Sequence, residues 1–401
     1  MSSPAPARPQ IHPIRYHLAR LQQTKPHLPY GRLICVAAAP SVTSTEMLLE
    51  LADLVGPYIA IFLIQADVID DWTPETGHKL TVIARKHDFI LWEGGRVLNV
   101  SPSVVGKSEE ERYHATQIMQ RRYTKGIVQI ASWAGLASYW TTPMPAEMQE
   151  HDHLIPALKS AARETVAKIS RLVQTEITVE DDGQGSETAS QTDNPARRAE
   201  EDLPIKFSNI SMTQSITQSY ESSDKFHHVL QESETAVNPG DGFEGAEETK
   251  TVSSAFHLAR GLILALPAVD NPYPFVWDYR DSCLAAGRLN RDFVAGFQVH
   301  DHWTVVSRNP NILKGTSPAA DPYGDKERQS GEDPDGGFII LSPLPGAEES
   351  YEADQIGAAL EELIKKAIDA TGDNSGPVVP PNRMLHIPVI PLGNQKKRQL
   401  S

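Results

Sequence analysis

Short runs of apolar residues recur along the chain, separated by stretches in which apolar positions return every three or four residues. The runs are 33–38 (LICVAA), 59–64 (IAIFLI), 89–92 (FILW), 136–140 (LASYW), 262–266 (LILAL), 293–299 (FVAGFQV), 338–341 (FIIL) and 385–390 (LHIPVI), eight in all. Their hydrophobicity is continuous rather than alternating, as in strands of a parallel sheet covered by helices. Between them, Thr43 or Ser44 is placed to cap a helix whose Met47, Leu48, Leu51 and Leu54 share one face, and Pro57 follows its end. Later, Ile356, Leu360, Leu363, Ile364 and Ile368 recur at helical spacing on a segment rich in Glu and Lys. Eight strand–helix repeats predict an α/β protein built as a closed barrel, although a doubly wound open sheet also fits the periodicity.

Three stretches break the pattern. From 176 to 250 there are 17 acidic and 5 basic residues, a net −12 of the total −15. The stretch is Ser-, Thr- and Gln-rich without apolar periodicity, so burial cannot offset the entropy of ordering it, and 176–252 is expected to be a disordered acidic insertion. Residues 314–337, rich in Pro, Gly and charge, predict a flexible insert, and 371–382 a loop. The organisation expected is an N-terminal segment over 1–30, a first half-barrel over 31–175, a second over 253–394 and a tail over 395–401.

Charge and cysteine content then exclude several classes. A net charge of −15 argues against nucleic acid or an anionic membrane as the main partner, since both require clustered Lys and Arg. Cys35 and Cys283 make neither a disulfide framework nor a zinc site, which fits a reducing, cytoplasmic compartment. The first 13 residues lack the apolar core of a signal peptide, and no apolar run reaches the roughly 18 to 20 residues that span a membrane.

Several blocks carry a resemblance: LLELADLVGP followed by IAIFLIQADVIDDW, then ETGHKLTVIARKHDFILWE, IASWAGLASYW, GLILAL and CLAAGRLNRDFVAGF. In this order they resemble orotidine 5′-phosphate decarboxylase, in the filamentous-fungal form with a long acidic insertion. The resemblance implies a (β/α)8 TIM barrel, a carboxy-lyase that needs no cofactor or metal, and a homodimer. It also implies a charged network: a Lys-Thr-His-x-Asp segment at the end of strand 2, and an Asp-x-Lys-x-x-Asp motif after strand 3 whose last Asp crosses to the partner. The motif Lys donates a proton to the carbanion left when CO2 departs.

At the matching positions, strand 2 here reads Leu63, Ile64 and Gln65, with Asp67 kept. After Glu93, Gly94 stands for the first Asp, Arg96 for the Lys and Asn99 for the second Asp. Guanidinium is a poor proton donor near neutrality, while Gly94 and Leu63 have nothing to titrate. The Asp that ends strand 1 in the family is replaced by alanines near Ala38 and Ala39. The Ser-Ser-Lys-Gly segment after strand 5 becomes Ala268, Val269, Asp270, Asn271 and Pro272, and the phosphate-binding Gly-Arg-Gly becomes Pro391, Leu392, Gly393 and Asn394. The expectation is a protein inactive on orotidylate, with a binding or regulatory role. The alternative is a repurposed lyase acting on another small molecule in fungal secondary metabolism.

Arg96, Asn99 and His300 are the candidates for retained chemistry, and Gln65, Asp67, Glu93 and His302 for ligand contacts at the barrel mouth. For Arg96 the competing reading is structural, paired with Glu93, Asp67 or Asp70. His300 and His302 could face one ligand if the segment is extended, although a polar loop residue plus a packing histidine is the plainer reading. A second His-Asp-His at 151–153 is read as helical and solvated. Trp92, Trp133 and Trp140 are expected to pack in the core, and Lys396, Lys397 and Arg398 to form a solvated end. With the chain stopping at Ser401, the outer helical ring is expected to lack its last member unless the segment from Ile14 to Gln22 covers the gap.

Overall fold

The computed structural model describes residues 12–95, 97–98, 109–141, 152–180, 258–271, 276–309, 313, 337–346, 353–372 and 384–393. The expected acidic insertion beyond residue 180, the insert over 314–336, the loop over 373–382 and the tail over 395–401 lie outside them.

All eight apolar runs are strands, with ends shifted by one or two residues from the pattern. They are β1 (Cys35–Ala38), β2 (Ile61–Ile64), β3 (Ile90–Glu93), β4 (Leu136–Tyr139), β5 (Gly261–Leu266), β6 (Val294–Val299), β7 (Ile339–Pro343) and β8 (Leu385–Leu392). Each pairs in parallel with the next, and β8 pairs with β1, Cys35 lying opposite both Ile61 and Val389. The sheet is therefore closed, which removes the open-sheet alternative. Inward positions such as Cys35, Ile61, Leu63, Ile90, Trp92, Leu136, Ile263, Ala295, Leu341 and Ile387 fill the barrel as one apolar cluster. Outward positions such as Val36, Phe62, Leu91, Leu264, Phe297 and Ile340 form a second cluster with the surrounding helices. Both faces are dry, hence the unbroken hydrophobicity along each strand.

The helices are α1 (Pro13–Thr24), α2 (Thr45–Val55), α3 (Pro74–His87), α4 (Glu109–Thr124), α5 (Ile130–Trp133), α6 (Leu154–Glu180), α7 (Val276–Leu289), α8 (Trp303–Arg308) and α9 (Ile356–Thr371). Ser44 caps α2, its hydroxyl accepting from the Met47 amide at 3.4 Å. Asp71 accepts the Thr45 amide at 2.6 Å, and that bond holds its carboxyl below the usual range. In α9, Ile356, Leu360, Ile364 and Ala367 are the buried stripe, and the helix stops at Gly372 in the left-handed region, φ 63°. α6 runs on to Glu180, so its last turn overlaps the start of the expected insertion, and residues 176–250 form a unit of their own. The segment over 151–153 precedes α6 rather than lying in it: Asp152 accepts the Leu154 amide at 2.9 Å, His153 is exposed, and His151 lies outside the described residues.

The N-terminal segment does not patch the outer ring. Ile14, Leu18 and Leu21 of α1 belong to the interior cluster, together with the first inward residues of the strands, so α1 stoppers the barrel at its N-terminal end. The outer ring closes differently, with α9 packed on α2 and on the turn at Pro29–Gly31. The stopper is pinned by polar contacts. Arg20 reaches Asp88 at 3.3 Å and His17 reaches it at 3.4 Å; Asp88 ends α3 with φ 53°. Lys25, just past α1, donates from Nζ to the carbonyls of Gly56 (2.8 Å), Ile59 (2.6 Å) and His87 (2.7 Å), tying together the turns that lead into β2 and β3. Lys25→Met is expected to cost about 2–3 kcal/mol, because the carbonyls lose a charged donor, and a lowered urea midpoint with an unchanged slope checks it.

Candidate active site at the C-terminal mouth

Barrel sites are built where strands end and loops begin, at the C-terminal face. Leu63 points inward and is 6% exposed. Gly94, one residue past β3, donates its amide to the Ile64 carbonyl at 2.7 Å. A Cβ built on Gly94 would stand 3.0 Å from Leu63 Cγ and Cδ2. A side chain at 94 would therefore press on the leucine, which would have to give by a few tenths of an ångström. Beneath it Trp92 is fully buried, with Nε1 donating to Ser138 Oγ at 3.0 Å.

Glu93 ends β3 and is fully buried. Its Oε1 accepts the Gly95 amide at 2.8 Å, while Oε2 has no hydrogen-bond partner among the described residues. Burial pushes its carboxyl up to about 8, and the neighbouring charge of Asp67 adds to the shift, so at neutral pH it is mostly protonated. Asp67 itself is exposed. Any side chain on Gly95 would strike both Asp67 Oδ1 and Glu93 Oε1, so glycine there lets the two carboxyl groups approach. Arg96 and Asn99 lie outside the described residues; between them Val97 is half-buried and Leu98 buried.

Among the described residues, the ends of β1 and β8 carry no charged side chain. Ala37 and Ala38 are half-buried, and Ala39 donates its amide to the Leu392 carbonyl at 2.8 Å. Pro391 is half-buried, Leu392 and Gly393 are buried, and Asn394 lies outside the described residues. After β5, the Val269 amide donates to Asp301 Oδ1 at 3.2 Å and the Asn271 amide to the Ala268 carbonyl at 3.3 Å. Those groups are spent on the loop itself. Pro272 lies outside the described residues, and Gln65 is exposed just beyond β2.

The extended segment expected to carry His300 and His302 ends before them. β6 ends at Val299, so alternation stops: His302 takes the N-cap position of α8 and is exposed. His300 Nδ1 lies 2.9 Å from the Leu266 carbonyl, and its ring stands 6.0 Å from that of Trp140. Among the described residues no group of three His, Cys, Asp or Glu is arranged to hold a metal ion. Trp92 and Trp133 are core residues, the latter 5.1 Å from Trp72. Trp140 departs from that expectation: it follows the last residue of β4, is 38% exposed, and also meets Tyr279 of α7 at 6.3 Å. Tyr279 gave no signal in the sequence, being one more residue on a helix.

Comparison with known proteins bears on this mouth. No family model matches the chain. The orotidine 5′-phosphate decarboxylase of Sordaria macrospora is 25% identical to it over 370 residues, 86% of this chain and 81% of that protein. The chain resembles orotidine 5′-phosphate decarboxylases over most of its length. The decarboxylase of Hypocrea atroviridis is 26% identical over 309 residues, 71% of this chain and 70% of the relative. Uridine 5′-monophosphate synthase of Bos taurus matches a shorter stretch, 28% identical over 135 residues, 34% of this chain and 24% of that protein. Among the described residues no helix is long and apolar enough to cross a membrane.

Proposed function

We propose that this chain is an orotidine 5′-phosphate decarboxylase-like barrel that no longer decarboxylates orotidylate and serves as a binding or regulatory protein. The contact between Leu63 and Gly94 carries the reading. The resemblance assigns these positions to a lysine and an aspartate of the charged network, and here an aliphatic side chain packs against a glycine. Loss of one proton donor or acceptor costs about two to four orders of magnitude in rate, and the losses here fall on donor, partner charges and phosphate loop together. The half-buried alanines that end β1, and Pro391 with Leu392 at the end of β8, support the same reading, since among the described residues neither end offers a charged side chain to ribose or phosphate.

A second reading, an enzyme repurposed for another small molecule, is favoured by Glu93. A buried carboxyl held mostly protonated at neutral pH, at the end of a barrel strand beside Asp67, is suited to proton transfer. Introduced into a uracil-requiring strain, the chain is expected to give no growth without uracil, where an active decarboxylase does. Growth, or release of labelled CO2 from orotidylate by purified protein far above the spontaneous rate, overturns the first reading. UMP is expected to leave the melting temperature unchanged, and a rise of several degrees would contradict the loss of phosphate recognition.

A further inference from the structure

α3 and α4 return the chain to the N-terminal face of the barrel, the end opposite the mouth. Near the end of α3, Val82, Arg85 and Lys86 stand at i, i+3 and i+4, and along α4 and just past it Ile118, Arg121, Arg122 and Lys125 stand at i, i+3, i+4 and i+7, so each set shares one helical face. All of them are exposed. α5 packs on both helices, and the buried Arg260 links their ends: its Nε donates to the Ala131 carbonyl at 2.7 Å, and it stands within electrostatic reach of Arg85 on α3 and Tyr123 on α4. The loop that follows α4 leaves Ile127 71% exposed. No acidic residue occurs from 76 to 87 or from 112 to 135, in a chain whose net charge is −15. Asp53 answers Lys86 at 2.7 Å, whereas Arg85, Arg121, Arg122 and Lys125 have no ion pair among the described residues. The helix dipole favours a cation in a last turn. It does not account for aliphatic side chains left open between the charges.

We infer that this face docks an acidic segment of a partner protein, whose carboxylates meet Arg85, Arg121, Arg122 and Lys125 and whose apolar side chains cover Val82 and Ile127. Unpaired cations of one sign select a partner of the other, and they steer its approach. A polypeptide fits better than a nucleic acid, because the apolar positions exposed among these charges are aliphatic and offer no ring on which a base could stack. The surface lies at the far end of the barrel from the mouth, so the inference holds whether or not orotidylate is turned over.

Fluorescence anisotropy of a labelled peptide of glutamates interspersed with leucines, titrated with the full chain, tests it. Binding is expected at low salt and is expected to fall steeply as NaCl rises from about 50 to about 300 mM, since exposed charges are then screened. Arg121→Glu combined with Arg122→Glu is expected to weaken it about tenfold or more, as like charges set against each other do. Arg85→Glu, on the other helix, is expected to act in the same direction and serves as an independent variant if the pair disturbs α4. Ile127→Ser, and a peptide with serines in place of its leucines, are each expected to bind more weakly. Lys365→Glu, on the exposed side of α9, also reverses a surface charge and is expected to leave binding unchanged. Absence of binding, equal weakening by Lys365→Glu, or tighter binding of single-stranded DNA than of the peptide overturns the inference.

Discussion

Raising the pH from about 4.5 to about 8 is expected to destabilise this barrel, and Glu93→Gln is expected to flatten most of that fall. In the unfolded chain the Glu93 carboxyl loses its proton near 4.5, whereas in the folded barrel burial, reinforced by Asp67, holds it to about 8. Between those values the folded state binds more protons, so stability declines as pH rises. The contribution is complete below the lower value and gone above the upper one. Each tenfold difference in proton affinity between the two states is worth about 1.4 kcal/mol, so the decline amounts to roughly 3 kcal/mol or more. Urea midpoints measured across the range on wild type and variant check it: a pH dependence unchanged by Glu93→Gln would mean that the carboxyl is ionised in the folded barrel. Burial raises the Asp88 and Asp152 carboxyls as well, and their contributions, with the same sign, remain in the variant.

Trp92→Ala is expected to be the most damaging single change, costing about 3–5 kcal/mol. The indole is fully buried in the middle of the interior cluster, among Leu63, Leu136 and Ile90, and its removal also takes away the donor that Ser138 accepts at 3.0 Å. Trp92→Phe keeps most of the volume and loses the hydrogen bond, so it is expected to cost a small fraction of this. Denaturation midpoints of the two variants separate cavity from hydrogen bond; similar losses in both would place the weight on the Trp92–Ser138 contact.

Much of the fold could be read from the chain because β-strands buried on both faces must be apolar at consecutive positions, and eight such runs stand out against polar surroundings. The same continuity misled at Trp140. It extends the fourth run without a change of character, yet the strand stops at Tyr139 and the indole sits on the rim. The stopper helix was hidden for the opposite reason: Ile14, Leu18 and Leu21 have helical spacing, but His12, Arg15 and His17 lie among them, and nothing in the sequence says that all three are buried. At the mouth, the contact of Leu63 with Gly94 could be anticipated only through the resemblance, since a leucine and a glycine have no signature of their own. Glu93 is a charged residue after a tryptophan, and its burial follows from its place on the outward, helix-covered side of β3, level with Ile64 and Ala137, a matter of register that composition does not encode.

The helix that stoppers the barrel also sets which end a ligand could use. With Ile14, Leu18 and Leu21 seated against the strand starts, the floor is shut, and a molecule that reaches the interior must come and go over the same rim. Arrival and departure therefore share one doorway, so a bulky residue introduced there would slow both rates together and leave the equilibrium affinity little changed.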